Sequence, residues 1–262
     1  MLRFMSCFLL AAAAACAGCV TSPTGRAQLH LFPQAEMAKM GVAAYDEMKS
    51  KQKVSTDATL QRRARCVTDA VAAQVTGPYA GTRWEVTVFE DPSPNAFALP
   101  GGKIGVHSGL FAVAQNQDQL ATVLGHEVAH VLAEHANERI STQYATQSGI
   151  QILDTLSGGM SPGKQQLLGL LGAGVVVLPF SRAQESESDT IGLELMARAG
   201  FDPTQSVALW QNMAAAGGGQ PPEFLSTHPA HGRRIADLQA ALPSAKQLRA
   251  EARARGLRPR CY

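Results

Sequence analysis

The sequence carries little charge, and its charges are nearly balanced. Charged residues make up 17% of 262 residues, and 23 basic against 21 acidic side chains leave a formal net charge of +2. No long run of lysine or arginine lies on a predicted surface, so nothing indicates binding to nucleic acid. Only residues 249–260 are locally basic. A solvated helix and tail is the favoured interpretation of this stretch, and contact with phosphate or lipid headgroups is the alternative.

The sequence also lacks an apolar run of membrane-spanning length. The nearly uninterrupted run from Leu167 to Phe180 has fourteen residues, whereas a transmembrane helix needs roughly 20. We favour a buried helix here, with a surface-seeking segment near a membrane as the alternative. Hydrophobic residues make up 45% of the chain, which is enough for a sizeable core and excludes extensive disorder.

The first residues have the pattern of a secretory leader. Arg3 precedes the short apolar run Phe8–Ala15, and two small residues stand directly before Cys19. This pattern resembles a lipoprotein signal, with cleavage after residue 18 and a lipid on Cys19. Lipidation at Cys16 and ordinary cleavage without a lipid are the alternatives. No aspartate follows Cys19, so we expect a periplasmic protein of a Gram-negative bacterium, lipid-anchored in the inner leaflet of the outer membrane.

Two of the five cysteines lie outside this leader and its cleavage site, namely Cys66 and Cys261. Exported thiols tend to pair, so a disulfide between them is expected, with two unpaired thiols as the alternative. The expected organisation is a signal peptide at 1–18, a short tether at 19–27, one folded domain at 28–242 and a basic tail at 243–262.

The patterns of hydrophobic residues predict an α+β fold, mostly helical, with a small sheet. Strand formers alternate at 84–89, and two further short strands are predicted on either side of the turn Pro100-Gly101-Gly102. Between Ser157 and Gly163 the composition predicts a mobile loop. Helical spacing predicts helices at 28–50, 57–76, 118–148, 181–199 and 203–213.

The predicted helix at 118–148 contains an HExxH motif, His126-Glu127-Val128-Ala129-His130. Four helical residues turn the chain by roughly 400°, so both imidazoles lie on one face and can bind a single Zn²⁺. Glu127 lies beside them, where it can take a proton from a metal-bound water. The alternative is a helix with two chance histidines.

A catalytic zinc needs a third protein ligand and one open position. Glu185 and Asp189 are four residues apart on the next polar helix, so one carboxylate could bind the metal while the other orients a ligand. A solvated acidic helix start is the alternative for both. The remaining histidines have no partner at metal-binding spacing or lie on the wrong helix face: His30, His107, His135 and His231.

Four segments together resemble the HtpX-type, CAAX-prenyl-protease-like zinc metallopeptidases, in their soluble periplasmic lipoprotein branch. The segments, in family order, are Asn95 to Gly102, the HExxH motif, Ser181-Arg-x-x-Glu-x-x-x-Asp, and Ser226-Thr227-His228-Pro229 with Arg233-Arg234-Ile235. The resemblance implies that Glu185 is the third zinc ligand and that Asp189 orients a ligand. It also implies that His228 either stabilises the oxyanion or approaches the zinc and silences it.

The same resemblance implies a substrate-binding edge strand beside the HExxH helix, formed by Asn95, Ala96, Phe97 and Ala98. We therefore expect a zinc endopeptidase, with one Zn²⁺ per chain, that acts on extended or unfolded proteins in envelope quality control. Glu127 would move the proton and His228 would assist. The outer-membrane assembly machinery is a further expected partner, and the membrane is contacted only through the lipid anchor. The rival hypothesis is a chaperone-like assembly lipoprotein that cuts rarely.

Overall fold

The computed structural model describes residues 19–156, 180–216, 223–229 and 232–262. The predicted signal peptide, the predicted loop at 157–163 and all of the apolar run except Phe180 lie outside these ranges. The strands are β1 Cys19–Thr21, β2 Ala27–Leu29, β3 Glu85–Phe89, β4 Ala96–Leu99 and β5 Lys103–His107. The helices are α1 Gln34–Lys51, α2 Ala58–Ala72, α3 Leu110–Val113, α4 Gln117–Leu132, α5 His135–Leu156, α6 Arg182–Arg198, α7 Gln205–Ala216, α8 Glu223–Thr227 and α9 Arg234–Ala254.

The prediction of a mostly helical α+β fold with a small sheet is confirmed. The contacts divide the chain into two units. The first comprises the described residues of Met1–Met37 and Glu134–Leu178, and the second comprises those of Ala38–Ala133 and Pro179–Tyr262. No helix in the described ranges has the length and hydropathy that a bilayer-spanning segment needs.

The three-stranded sheet lies in the second unit, in the order β3-β5-β4. Strands β4 and β5 form the predicted antiparallel hairpin, with Ala96 opposite Val106, and β3 pairs with β5 in parallel. The connecting turn needs glycine, because Gly101 and Gly102 have φ values of 86° and 74°. This order leaves β4 at one edge of the sheet.

Helix α2 packs against this sheet and against α4. Asp57 caps its first turn by accepting hydrogen bonds from the backbone N–H groups of Thr59 and Leu60. Ala64, Val67 and Val71 are fully buried in the core, as their helical spacing predicts. The disulfide between Cys66 of α2 and Cys261 joins this helix to the C-terminal segment.

The prediction of a single helix at 118–148 is wrong, because α4 ends at Leu132 and a separate helix, α5, begins at His135. Glu134 stands between them with a φ of 52°, in the left-handed region that an α-helix does not use. Its carboxylate lies 3.3 Å from Nδ1 of His30 and accepts a hydrogen bond from Asn137. These contacts within the first unit stabilise the bend at Glu134, where the sequence has neither glycine nor proline.

The helix predicted at 28–50 starts later, since its first residues belong to the β1–β2 hairpin. Gln28 pairs with Val20 across this hairpin, and α1 begins only at Gln34, directly after Pro33. Cys19, the residue predicted to carry a lipid, is exposed at the start of β1. At the other end of the chain, α9 runs through residue 243 without a break, so the expected domain boundary at 242 falls inside a helix.

Helices α4 and α6 pack closely enough to bring their polar side chains together. A Cβ atom at Gly125 would lie 2.8 Å from the carbonyl oxygen of Gly192, and one at Gly192 would lie 2.7 Å from the backbone nitrogen of His126. Only glycine allows this approach. Helix α6 begins with a capping box formed by Ser181 and Gln184, and its first two turns therefore lie beside the HExxH motif.

Candidate metal centre

The HExxH residues lie in the middle of α4, which Asn116 caps by accepting hydrogen bonds from the N–H groups of Asp118 and Gln119. His126, Glu127 and His130 are all nearly fully buried. The Nε2 atoms of the two histidines are only 3.0 Å apart. The predicted stacking of both imidazoles on one face is therefore the observed geometry.

Glu185 and His228 complete a cluster of four potential metal ligands. The Oε1 atom of Glu185 lies 3.4 Å from Nε2 of His130 and 3.0 Å from Nδ1 of His228. The same Nδ1 atom lies 3.2 Å from Nε2 of His126. All four ligand atoms lie within 4.8 Å of one another, and this is the cluster of metal-ligating side chains found among the described residues.

The spacing of this cluster fits one zinc ion. A tetrahedral zinc with ligands at about 2.1 Å separates neighbouring ligand atoms by about 3.4 Å, close to the distances observed here. Burial favours the protonated form of Glu185, but His126 and hydrogen bonds from three histidines outweigh it and hold the pKa of Glu185 well below its usual range. The carboxylate is therefore ionised, as a metal ligand must be.

Asp189 contacts His126 from the side away from the cluster. Its Oδ1 atom lies 2.9 Å from Nδ1 of His126, so the carboxylate accepts the ring N–H and leaves Nε2 free to face a metal. The charges of Arg234 and His126 outweigh burial and lower the pKa of Asp189. This is the arrangement that the resemblance implies for Asp189.

Arg234 has a role in the site that the sequence did not indicate. Its fully buried guanidinium donates a hydrogen bond to Oε2 of Glu185 at 2.8 Å, and its Nε atom lies 2.6 Å from Oδ2 of Asp189. The guanidinium carbon lies 3.5 Å from the ring centroid of Trp210. Arg234 therefore fixes Oε2 of Glu185, which also lies 3.5 Å from Nε2 of His126, while Oε1 faces His130 and His228. The Arg233-Arg234-Ile235 motif marked the position, but its burial follows only from the fold.

His228 fills the fourth corner of the cluster. Its ring is stacked between Phe224, at 4.4 Å between ring centroids, and Phe180, at 5.0 Å. The backbone N–H of Phe180 donates to the carbonyl of Thr227, which fixes the two segments together. A catalytic zinc needs this corner for water. Of the two roles implied for His228, the observed position therefore matches approach to the metal.

Glu127 is placed to act on a water molecule at the cluster. Within the described part of the chain its Oε1 atom has no hydrogen-bond partner, and Nε2 of His228 lies 3.5 Å away. Burial raises the pKa of Glu127, opposed by His228 and His126 and by a hydrogen bond from the Ala98 backbone. A buried, unpaired carboxylate oxygen beside four potential ligands is the feature expected of a general base.

Strand β4 lies beside Glu127, because the backbone N–H of Ala98 donates a hydrogen bond to the Glu127 carboxylate. Among the described strands only β5 pairs with β4, so the opposite edge presents backbone groups without a strand partner. Asn95, directly before β4, is buried, and within the described residues its side-chain oxygen has no hydrogen-bond partner. Phe97 packs its ring over Gly105 of β5.

The other histidines lie outside the cluster. Nδ1 of His107 lies 2.8 Å from the hydroxyl of Ser93, in the loop before β4. His30 contacts Glu134 in the first unit, and His135 is buried at the start of α5. His231 falls outside the described residues.

Several known proteases are similar to this chain in sequence. The chain is 43% identical over 166 residues to the mitochondrial metalloendopeptidase OMA1 of Schizosaccharomyces pombe, covering 63% of this chain and 48% of the relative. It is 30% identical over 245 residues to human OMA1, covering 88% and 47%. The beta-barrel assembly-enhancing protease of Escherichia coli is 35% identical over 153 residues, covering 55% and 31%. The chain thus spans about half the length of these OMA1 relatives.

These relatives contradict the predicted localisation. The fungal and human proteins are mitochondrial metalloendopeptidases, whereas the assembly-enhancing proteases are bacterial and match a smaller share of the chain. The prediction of a periplasmic, lipid-anchored protein at the outer membrane is therefore wrong. That prediction depended on a match of a few small residues before Cys19, and so short a motif carries a high risk of false positives.

A match to a known protein family includes all four residues of the candidate metal cluster. The sequence pattern of peptidase family M48 matches residues 58–242, a range that contains the HExxH motif, Glu185 and His228. This match confirms the predicted class of zinc metallopeptidase, and with the cluster it confirms one zinc ion as the cofactor. The chain belongs to peptidase family M48.

Proposed function

We propose that this chain is a zinc-dependent endopeptidase that hydrolyses peptide bonds in extended segments of unfolded proteins. The observation that carries the proposal is Glu127, whose buried carboxylate has an oxygen without a hydrogen-bond partner among the described residues, beside the four-ligand cluster. Such an oxygen is costly to bury without a hydrogen-bond partner. A water molecule at the cluster, from which Glu127 would take a proton, would be that partner.

The residues of the chain divide the chemistry between them. Zinc, when held by His126, His130 and Glu185, supplies Lewis acidity that lowers the pKa of water and polarises the scissile carbonyl. Glu127 takes a proton from the attacking water at Oε1 and passes it to the leaving amine. Asp189 keeps the His126 ring in the tautomer whose Nε2 faces the metal.

Substrate recognition is proposed to occur through the free edge of β4. An extended peptide can add to this edge as another strand, with main-chain hydrogen bonds to Ala96 and to the Ala98 carbonyl, since the Ala98 N–H already donates to Glu127. Asn95 supplies a buried side-chain oxygen without a hydrogen-bond partner among the described residues, able to accept from a peptide N–H. This mode requires unfolded or extended segments, since a folded protein does not offer a free strand.

We infer further that the substrates include misassembled proteins of a cell envelope. Support comes from the bacterial relatives, which are named beta-barrel assembly-enhancing proteases. Factors that assemble outer-membrane proteins are then candidate partners. Contact with nucleic acid is not part of the proposal, because the net charge of +2 provides no broad basic field.

The position of His228 favours a second candidate function, that of a chaperone-like assembly factor that cuts rarely. Four protein ligands make a closed, structural type of zinc site, and His228 provides the fourth. If the enzyme is active after His228 leaves, His228→Ala should cleave unfolded protein faster than the wild type. If the chain is an assembly factor, His228→Ala should leave cleavage at background and folding assistance should survive a chelator.

The proposal is tested with Glu127→Gln, which keeps the shape of the side chain and removes its basicity. We expect this variant to bind zinc like the wild type and to lose cleavage of a fluorescently labelled unfolded protein by at least about a hundredfold. Glu194→Gln is the matched control, because Glu194 is exposed on α6. Cleavage by Glu127→Gln at the wild-type rate would refute the proposal.

A further inference from the structure

Residues 257–262, which follow α9 and a short turn, lie outside helices and strands, and their exposure alternates from residue to residue. Alternation with a period of two places successive side chains on opposite faces of an extended chain. The inward, half-buried residues are Leu257, Pro259 and Cys261, and the outward, exposed residues are Arg258, Arg260 and Tyr262. The outer face of this segment therefore presents two arginines and a tyrosine in a row.

Contacts on the inner face fix this segment to the body of the second unit. The backbone N–H of Cys261 donates to the side-chain oxygen of Gln117 at 2.7 Å, and the Gln117 amide donates to the carbonyl of Pro259 at 3.0 Å. The disulfide joins Cys261 to Cys66 of α2, with 5.5 Å between their Cα atoms. The segment is thus held at the start of α4 and along α2.

The disulfide brings two arginines of α2 to the same surface. Arg63 lies with its guanidinium carbon 4.2 Å from the ring centroid of Tyr262. Arg62 is exposed next to it, and donates a hydrogen bond to the Thr59 hydroxyl. Arg62, Arg63, Arg258 and Arg260, with the ring of Tyr262, form what we call the arginine patch.

Among the described residues the arginine patch has no ion pair, since no carboxylate oxygen of these ranges lies within 4.0 Å of its four guanidinium groups. Nearby Arg249, in contrast, is paired with Asp202 at 2.8 Å. A cluster of four positive charges on a chain with a net charge of +2 is a strongly local concentration of charge. It has the character of a binding surface for an anionic partner.

We propose that the arginine patch binds the anionic phospholipid headgroups of a membrane surface. Arginine forms paired hydrogen bonds with phosphate oxygens. The Tyr262 ring is 44% exposed, and an amphipathic aromatic ring beside cationic groups is typical of the headgroup level of a bilayer. A nucleic acid is disfavoured, because its backbone is usually met by a wide basic face rather than by four charges.

The position of the arginine patch is compatible with proteolysis at the membrane surface. Gln117, which holds the C-terminal segment, is the first residue of α4, and His126 comes nine residues later. That separation corresponds to about 13 Å along the helix axis. Binding through the patch therefore contacts the membrane at one end of α4 and leaves the metal cluster some distance along the helix.

The experiment is vesicle flotation of the purified, oxidised protein at about 0.1 M salt, where screening acts over roughly 10 Å. We expect binding to vesicles that contain phosphatidylglycerol and none to pure phosphatidylcholine. Each arginine near an anionic surface contributes about fivefold, so the variant with Arg62, Arg258 and Arg260 all changed to Gln should bind roughly a hundredfold more weakly. A control with Lys39, Arg198 and Lys246 changed to Gln loses the same charge elsewhere and should bind like the wild type.

Three results would overturn the proposal: no binding of the wild type to anionic vesicles, equal losses in the two triple variants, or patch-dependent binding to an RNA oligonucleotide that is tighter than binding to vesicles. The Cys66→Ser/Cys261→Ser variant tests how the patch is assembled. Provided that circular dichroism shows a folded protein, we expect severalfold weaker vesicle binding, because the C-terminal arginines lose their fixed place beside α2. Unchanged binding would contradict assembly by the disulfide.

Discussion

Gly125 and Gly192 face each other where α4 packs on α6, and a Cβ atom at Gly125 would lie 2.8 Å from the carbonyl oxygen of Gly192. This contact fixes the distance between the helix that carries the two zinc-binding histidines and the helix that carries Glu185 and Asp189. The metal centre therefore depends on two residues that have no side chain and no direct part in the chemistry.

Gly192→Ala should separate the two helices and weaken the metal site. Its new methyl group would lie 2.7 Å from the backbone nitrogen of His126, and overpacking of this kind costs about 1–3 kcal/mol. We expect a lower free energy of unfolding and a lower zinc affinity, measured by denaturation and by competition with a chelator. Gly232→Ala is the control, because no described atom lies within 4 Å of the added carbon. A Gly192→Ala variant with unchanged zinc affinity would show that the helix spacing does not set the site.

Arg234→Gln should destabilise the protein most when zinc is absent. The guanidinium neutralises Glu185 and Asp189 inside the protein, and removal of one partner from a buried ion pair costs about 3–5 kcal/mol. Bound zinc supplies positive charge to the same carboxylates, so the loss of unfolding free energy should be smaller in excess zinc than in chelator. Arg233→Gln, at the exposed neighbouring position, should change stability little. Equal losses with and without zinc would argue against charge compensation as the role of Arg234.

The pH dependence of cleavage should reflect the burial of Glu127. This carboxylate must be ionised to accept a proton, and burial raises its pKa above the ordinary value of 4.5. As the pH falls, kcat/KM should therefore decline at a higher pH than an exposed glutamate would produce. Zinc content must be measured over the same range, because protonation of the histidines also releases the metal. A decline centred at or below 4.5 with zinc still bound would contradict the assigned base.

The elements with a strong local signal were predictable from the sequence. The HExxH motif lies in a strongly helical sequence pattern, and its spacing alone fixes both imidazoles on one face. The β4–β5 hairpin follows from two short strands around Gly101 and Gly102, which supply the positive φ angles of the turn. Glu185 and Asp189 could be proposed from their spacing of four residues, and the family resemblance distinguished their roles.

The remaining features arise from tertiary contacts that leave no local signal. The break at Glu134 has no glycine or proline, and the contacts of its carboxylate with His30 and Asn137 hold it in place. Arg234 would be taken for a surface residue, since arginine is almost never buried without partners. Its partners lie more than 40 residues away in the chain. The position of the His228 ring between Phe180 and Phe224 also depends on tertiary contact, since Phe180 is distant in sequence.

The central claim is that one zinc ion is held jointly by α4 and α6 through His126, His130 and Glu185, and zinc analysis of Glu185→Ala tests it most directly. We predict one zinc per chain in the wild type and in Glu194→Ala, the exposed control on the same helix. Glu185→Ala should lose zinc under the same dialysis, with cleavage of unfolded protein falling to background. Stoichiometric zinc in Glu185→Ala, bound as tightly as in the wild type, would contradict the account.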